Sequence, residues 1–394
     1  MANSKGTPSS GRSNLITPPS SPKHSKSSSN LCDNDLGPLE NLRSSLDTHR
    51  AVSHTEDNII ICPFEVEYIK DHNGQNQIFG YGAWSTVFKG TCHRNTIASY
   101  GLLTPPSSPK PSPPILVAVK APARKDAPLI LRSEAQALSR LMSLDLNEER
   151  VATFHGILDR ESSLVLAAHP LSLESYIKSH AQIARTSLVR ENISSPVIGS
   201  SAIWLDLAHK LISTLEWLHN EAMTVHGDLK PGNVLLKPTT GLGSFSYHPL
   251  LIDFSSSQNL ATEEITKNTL SAITLEYTAP ELLSVRVLND PKSTATTASD
   301  VFSMAVTLLV AATGETLVYP KEYQAFQRRH FAQSGHMILN NVRSFSMRVP
   351  RQGVVSRVLE KAVLKHDMGR ISTSAWKQLV EDLLKDTKGE LAKM

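Results

Sequence analysis

The run Thr224-Val225-His226-Gly227-Asp228-Leu229-Lys230-Pro231-Gly232-Asn233-Val234-Leu235-Leu236 constrains this chain most, because Asp253-Phe254-Ser255 follows twenty residues after Asn233. Upstream, Gln77 to Thr91 reads as two strands around a glycine-bearing turn, Phe79-Gly80-Tyr81-Gly82-Ala83-Trp84-Ser85-Thr86-Val87. Next comes Ile115-Leu116-Val117-Ala118-Val119-Lys120, the apolar run of a buried strand closed by a lysine. Glu134 then sits on the amphipathic stretch Ile130 to Leu141. Taken singly, Lys120 reads as a strand-end surface lysine, Glu134 as a solvated helix position and Asp228 as a turn residue before Lys-Pro-Gly. In this order along one chain they form a set.

The set resembles the catalytic core of the eukaryotic-type protein kinase family, in its serine/threonine branch, with a catalytic-loop wording similar to that of fungal kinases. The resemblance implies an α+β fold of two lobes, a small β-rich N-lobe and a larger helical C-lobe. It also implies ATP and Mg2+ as cofactors and a protein as substrate. By resemblance, Asp228 accepts the proton of the substrate hydroxyl, Lys230 steadies the transferring phosphate and the Thr274 hydroxyl helps hold both. Asn233 and Asp253 are the implied metal ligands, because phosphoryl transfer is chiefly positioning and neutralisation of spread-out charge. The turn residues Phe79, Gly80, Tyr81, Gly82, Ala83, Trp84, Ser85, Thr86 and Val87 are implied to cover ATP. There the missing side chains of the glycines let backbone N–H groups approach the phosphates. Val87 would lie over the adenine, Trp84 would pack at the loop tip, and Lys120 would pair the phosphates with Glu134 as its helix partner.

Downstream, Thr274-Leu275-Glu276-Tyr277-Thr278-Ala279-Pro280-Glu281 resembles the end of an activation segment. Glu281 is expected to pair with Arg370. Asp300, opening the apolar segment Asp300 to Ala312, is expected to bond the catalytic-loop backbone from a buried helix. Ser163 to Leu166 followed by Ala167-Ala168-His169-Pro170 resembles the hinge, with Leu166 at the back of the adenine pocket.

The chain departs from the family pattern at several positions. Gly227 stands where most kinases carry the arginine that pairs with a phosphorylated activation segment, so activity without such phosphorylation is expected. Ser255 replaces the glycine after Asp253-Phe254, Ser85 the third glycine of the turn, and Ala305 a glycine after Asp300. Two other readings stand beside the enzyme: a pseudokinase scaffold that binds nucleotide and partners, and a kinase-like enzyme acting on a small molecule. Because Lys120, Glu134, Asp228, Asn233 and Asp253 are all present, the protein kinase is the expectation.

With 394 residues the chain can hold one two-lobed domain and a tail. We expect a disordered Ser/Pro-rich tail over 1–57 and a kinase domain over 58–387, with an N-lobe of about 58–168 and a C-lobe of about 169–387. A Pro- and Ser-rich insertion over 92–114 is expected to join two N-lobe strands as a disordered loop. Helices are expected over Leu173–Ala184, Ala202–Asn220, Val354–Leu364 and Thr373–Leu384, strands within Asn58–Lys70, and a loop over Pro238–His248. A formal net charge of +3 is too small to argue for nucleic acid or a charged membrane. No apolar run has the length of a membrane span. The three cysteines, Cys32, Cys62 and Cys92, show no paired metal-ligand spacing, which suggests a reducing intracellular compartment, cytoplasmic and/or nuclear.

One feature lies outside the kinase pattern. Thr17-Pro18-Pro19-Ser20-Ser21-Pro22-Lys23 recurs as Thr104-Pro105-Pro106-Ser107-Ser108-Pro109-Lys110, seven identical residues. Thr17, Ser21, Thr104 and Ser108 each precede proline, the pattern read by proline-directed kinases. The motif also resembles the phosphodegron bound by WD40-type F-box receptors of ubiquitin ligases. A low-complexity linker kept extended by its prolines is the simpler reading.

Overall fold

The computed structural model describes residues 58–92, 114–186, 194–239, 244–262, 274–288, 290, 293–315, 319 and 324–391. The expected tail 1–57 and the insertion residues 93–113, with Thr17, Ser21, Thr104 and Ser108, lie outside the described residues.

The first part of the fold is a six-stranded antiparallel sheet. Its strands are β1 (Val66–Tyr68), β2 (Ile78–Tyr81), β3 (Ser85–Cys92), β4 (Ile115–Pro122), β5 (Phe154–Leu158) and β6 (Ser163–Ala167). They run β1-β3-β4-β6-β5, with β2 also paired to β3. Between β4 and β5 lies the helix α1 (Ala127–Met142). Alternation along β4 divides its side chains between two faces. Val117 and Val119 pack with Cys92 and Val165, while Ala118 and Lys120 face a cavity. The insertion expected over 92–114 begins only after Cys92, which is fully buried and pairs with Ile115 at the far end of the β3–β4 ladder. Of the strands expected in Asn58–Lys70, only β1 forms; Ile61 and Lys70 make isolated bridges.

α1 forms because its apolar residues recur three and four apart, which gives it one buried face of Ala127, Ile130, Leu131, Ala135, Leu138 and Leu141. Glu134 lies on that same buried face. Its position there departs from the rule that buried helix faces are apolar.

The second part is helical. It comprises α2 (Leu173–Thr186), α3 (Ser201–Asn220), the strands β7 (Thr224–Val225), β8 (Val234–Pro238), β9 (Tyr247–Leu251) and β10 (Gln258–Asn259), then α4 (Val285–Leu288), α5 (Thr297–Thr313), α6 (Ala325–Gln333), α7 (Ile338–Arg343), α8 (Val354–Leu359) and α9 (Thr373–Leu391). α3 starts on Ser200, whose side chain accepts from the Ile203 N–H, and α5 on a capping box of Thr296 and Ser299. α5 ends at Gly314, whose φ of 79° an L side chain rarely adopts. Every residue from Ser299 to Thr313 of α5 is buried, so this helix is the axis of the helical core. Its hydroxyls at Ser303, Thr307 and Thr313 are satisfied by carbonyls one turn back.

Two helix ends differ from the sequence expectation by more than two residues. α8 stops at Leu359, after which the chain turns until the Ile371 N–H returns to the Lys361 carbonyl at 3.1 Å. α9 continues past Leu384 to Leu391. The loop expected over Pro238–His248 is shorter at both ends, because β8 and β9 pair as far as Pro238 and Tyr247. Among the described residues, no helix is long and apolar enough to cross a membrane.

Candidate active site

A cavity lies between the sheet and the helical part. Phe79, Gly80, Tyr81, Gly82, Ala83, Trp84, Ser85 and Val87 line it from the β2–β3 turn, and Lys120, Glu134, Asp228, Lys230, Asn233 and Asp253 line its other walls. Thr86 does not line it, since the two-residue period of β3 turns Thr86 away from Ser85 and Val87. The family pattern covers Thr86 only as part of a contiguous turn.

The β3–β4 register places Val87 opposite Lys120. Lys120 Nζ donates to Glu134 Oε1 at 2.8 Å, to Glu134 Oε2 at 2.7 Å and to Asp253 Oδ1 at 2.8 Å. Burial would lower the ammonium, but the Asp253 and Glu134 carboxylates outweigh it and hold Lys120 well above the usual lysine range. Burial likewise opposes ionisation of Asp253, yet Lys120, with help from the Ser255 hydroxyl, holds this carboxyl well below the usual range. For Glu134 burial wins: it pushes the carboxyl up to about 7 against the pull of Lys120.

The stretch 226–233 is pinned from below. Asp300, buried on α5, accepts from the His226 N–H at 2.7 Å and the Gly227 N–H at 3.0 Å. His219 on α3 bonds the same Asp300 carboxylate at 3.0 Å, a partner eighty-one residues away that no local pattern announces. His226 Nε2 meets the Ile252 carbonyl at 3.0 Å and its Nδ1 receives the Asp228 N–H at 3.3 Å. A neutral ring protonated at Nε2 satisfies both contacts.

Asp228 is nearly buried and is held by its neighbours. Lys230 Nζ donates to its Oδ2 at 2.5 Å, the Thr274 hydroxyl to its Oδ1 at 3.2 Å, and Lys230 also reaches the Thr274 hydroxyl at 3.1 Å. Asn233 Nδ2 donates to the Asp228 carbonyl at 2.8 Å and to its Oδ2 at 3.2 Å. Burial raises the Asp228 carboxyl above its ordinary value, against the charge of Lys230. Asp253 takes a left-handed φ of 64°, and the Ser255 hydroxyl donates to its Oδ1 at 2.8 Å.

Two side-chain oxygens on this wall are placed to take a cation, Asn233 Oδ1, since its Nδ2 donates to Asp228, and Asp253 Oδ2, since its Oδ1 accepts from Lys120 and Ser255. Two hard donors suit magnesium, which keeps waters and phosphate oxygens for the rest of its octahedron. Among the described residues no group of three or more His, Cys, Asp or Glu could hold a metal by itself. The turn above also fits a phosphate group, since a Cβ added at Gly80 would meet no protein atom within 4 Å.

Below the site, Arg370 donates to both Glu281 oxygens at 2.6 Å and to the Ala298 and Leu364 carbonyls, both at 3.0 Å. Leu166, Ala167 and His169 line the apolar end of the cavity with Ala118, Leu235 and Ile252. Trp84 packs under the Arg124 guanidinium, 4.4 Å from the ring centre.

A family model described as the protein kinase domain matches residues 116–390, well over half of the chain. The chain belongs to the protein kinase family. The match begins one residue into β4, so the glycine-bearing turn enters this kinase domain through its pairing with β4 and not through the family match. Similar proteins include the serine/threonine-protein kinase PknK of Mycobacterium tuberculosis, 31% identical over 178 residues, which are 43% of this chain and 14% of PknK. A putative ribosomal protein S6 kinase alpha-2 of Caenorhabditis elegans is 28% identical over 124 residues, 30% of this chain and 15% of that protein. A lectin-domain containing receptor kinase VI.3 of Arabidopsis thaliana is 26% identical over 246 residues, 61% of this chain and 29% of that kinase. The kinase-family chain thus spans 14% to 29% of the length of these curated relatives.

Proposed function

We propose that this kinase transfers the γ-phosphoryl group of ATP to a serine or threonine hydroxyl of a protein, with magnesium as the metal. One observation carries the reading. Lys120 is bonded to both Glu134 oxygens and to Asp253, while across the same cavity Asp228 is held between Lys230 and Thr274. Magnesium held by Asn233 and Asp253 would neutralise charge on the phosphates. Asp228 accepts the hydroxyl proton, Lys230 compensates the charge that develops beside it, and Lys120 orients the nucleotide from β4. The Thr274 hydroxyl fixes the rotamers of Asp228 and Lys230 together. Glu281, Arg370 and Asp300 act by supporting the loops and touch no reacting atom.

The test is transfer of radiolabelled phosphate from ATP with magnesium to a generic protein substrate. The wild type is compared with Asp228→Asn and Lys120→Met. Transfer that both substitutions reduce by about 10²-fold or more supports the enzyme. A wild type that binds ATP and transfers nothing replaces it by the pseudokinase scaffold. Gly227 further supports activity without phosphorylation of the segment before Glu281, so phosphatase treatment should leave the rate unchanged.

The seven-residue repeat favours a second, regulatory role in a cytoplasmic and/or nuclear protein. Proline-directed phosphorylation of Thr17, Ser21, Thr104 or Ser108 would recruit a phosphodegron reader that sets protein lifetime. Replacing Thr17 and Thr104 by alanine should lengthen the half-life in cells, and an unchanged half-life removes this role.

A further inference from the structure

The residues just before the sheet make contacts that the phosphoryl-transfer reading does not use. Ile59 is fully buried, in the same core cluster as Leu131, Ala135 and Leu138 of α1. The Ile60 N–H donates to the buried Ser139 hydroxyl of α1 at 2.9 Å. Alongside, the Ile157 N–H of β5 donates to the Ile60 carbonyl at 2.9 Å, and the Cys62 N–H to the Ile157 carbonyl at 3.0 Å. Ile61 and Ile157 thus form a parallel bridge on the free edge of β5, an edge that would otherwise expose unpaired backbone groups.

β5 itself is shaped to receive this segment. Gly156 has a φ of 125°, and a Cβ there would lie 2.4 Å from the Cys62 nitrogen. Any other residue at 156 would collide with the strap. The β5–β6 register also shifts between Phe154 and Gly156, so the strand yields its regular pairing where the strap crosses.

On its other side α1 is tied to the helical part. Arg140, next to Ser139, donates to the Ala222 carbonyl and the Thr224 hydroxyl, both at 2.7 Å. These lie just ahead of Asp228 in the chain. α1 is therefore fastened at neighbouring residues to the strap and to the chain leading into the catalytic loop, and it carries Glu134 between its fastened half and its start.

We propose that Ile59–Cys62 is a latch that positions α1, and through it the Lys120–Glu134 pair, so that a cut or displacement of this strap weakens nucleotide binding from outside the cavity. Ile59, Ile60, Cys62, Ser139 and Gly156 are positioning residues, since none touches the cavity. The proposal rests on the kinase reading for its effect on nucleotide binding, but not for its effect on α1.

The test uses the full chain with Ile60→Pro and Cys62→Pro combined, which removes both N–H donors of the strap and leaves α1 and β5 unaltered. Two readouts are taken that need no phosphoryl transfer: ATP affinity by calorimetry, and amide hydrogen exchange. The latch predicts ATP affinity about tenfold weaker, the size expected for losing one or two hydrogen bonds that order a helix. It also predicts faster exchange in residues 127–142 and at the Ile157 N–H of the uncovered β5 edge, with α3 and α5 unchanged. Ser139→Ala, which removes one contact from the α1 side, should give the same pattern more weakly. Should either variant fold poorly, Ile59→Ala thins the buried contact and serves as the third arm. Unchanged affinity and unchanged α1 exchange in a folded variant overturn the latch. A wild type without transfer activity whose α1 exchange still responds overturns the kinase reading instead and leaves the latch standing.

Discussion

Gly227 and Ser256 meet backbone against backbone: a Cβ added to Gly227 would lie 2.5 Å from the Ser256 carbonyl oxygen. The φ of Gly227 is 81°, which an L side chain adopts only under strain. The glycine is thus more than a lost arginine, because the start of the activation segment lies where that side chain would begin. Gly227→Ala should destabilise the domain by about 1–3 kcal/mol and lower the transfer rate, as read by thermal melting and initial rates. Gly227→Arg should do the same and should not make activity depend on phosphorylation. An arginine variant with full activity would show that the backbone approach is dispensable.

Arg370 is the second point where one substitution should decide much. Its side chain is 1% exposed, makes a bidentate pair with Glu281 and lies 5.2 Å over the Phe302 ring. Arg370→Ala leaves Glu281 without its cation and removes the guanidinium donor from the Ala298 and Leu364 carbonyls. A loss of about 3–5 kcal/mol is expected, seen as a lower melting temperature. Arg370→Lys should recover little of it, because an ammonium cannot reproduce the planar fork.

The reach of sequence reading follows from which contacts are local. Asp228, Lys230 and Asn233 fall within six residues, so their spacing alone brings them to one loop. α1 and β4 were legible from periodicity, and the same period that placed Lys120 with Ala118 explains why Thr86 turns away. Long-range partners outside the family pattern were not legible. His219 on Asp300, Arg140 on Thr224 and Ile60 on Ser139 join residues about eighty positions apart, and nothing in any window marks them. The boundary at Cys92 was missed for a related reason. A cysteine beside a Pro- and Ser-rich stretch reads as part of it until its pairing with Ile115 is seen.

Ser255 shows the same limit in the site itself. Read as a lost glycine, it suggests only a stiffer backbone, whereas its hydroxyl bonds the Asp253 oxygen that Lys120 also holds. In the proposed reaction Lys120 would turn to the nucleotide, which would leave Ser255 to orient Asp253. Ser255→Gly and Ser255→Ala should therefore raise the magnesium concentration for half-maximal rate about threefold to tenfold at saturating ATP. Equal magnesium curves for wild type and both variants would assign Ser255 to backbone geometry alone.

The pH dependence should come from Asp228 and Glu134. Burial raises both carboxyls, Glu134 to about 7, while Lys120 keeps Asp253 below the ordinary range. Below a raised value the group is protonated, so acidification would take away the proposed proton acceptor at Asp228 and the negative partner of Lys120 at Glu134. The rate should fall on the acid side above pH 3.8, the ordinary value for Asp228, with Asp253 still ionised. For stability the signs separate. Asp253, with its lowered carboxyl, contributes stability above the ordinary aspartate range that is lost as pH falls through its folded value; Glu134 works the other way and costs stability as pH rises from 4.5 towards 7. Lys230 is the charge that opposes burial at Asp228, so Lys230→Met should move the acid limb of kcat/KM to higher pH while lowering the plateau. A lower plateau with an unmoved limb would assign that limb to Glu134.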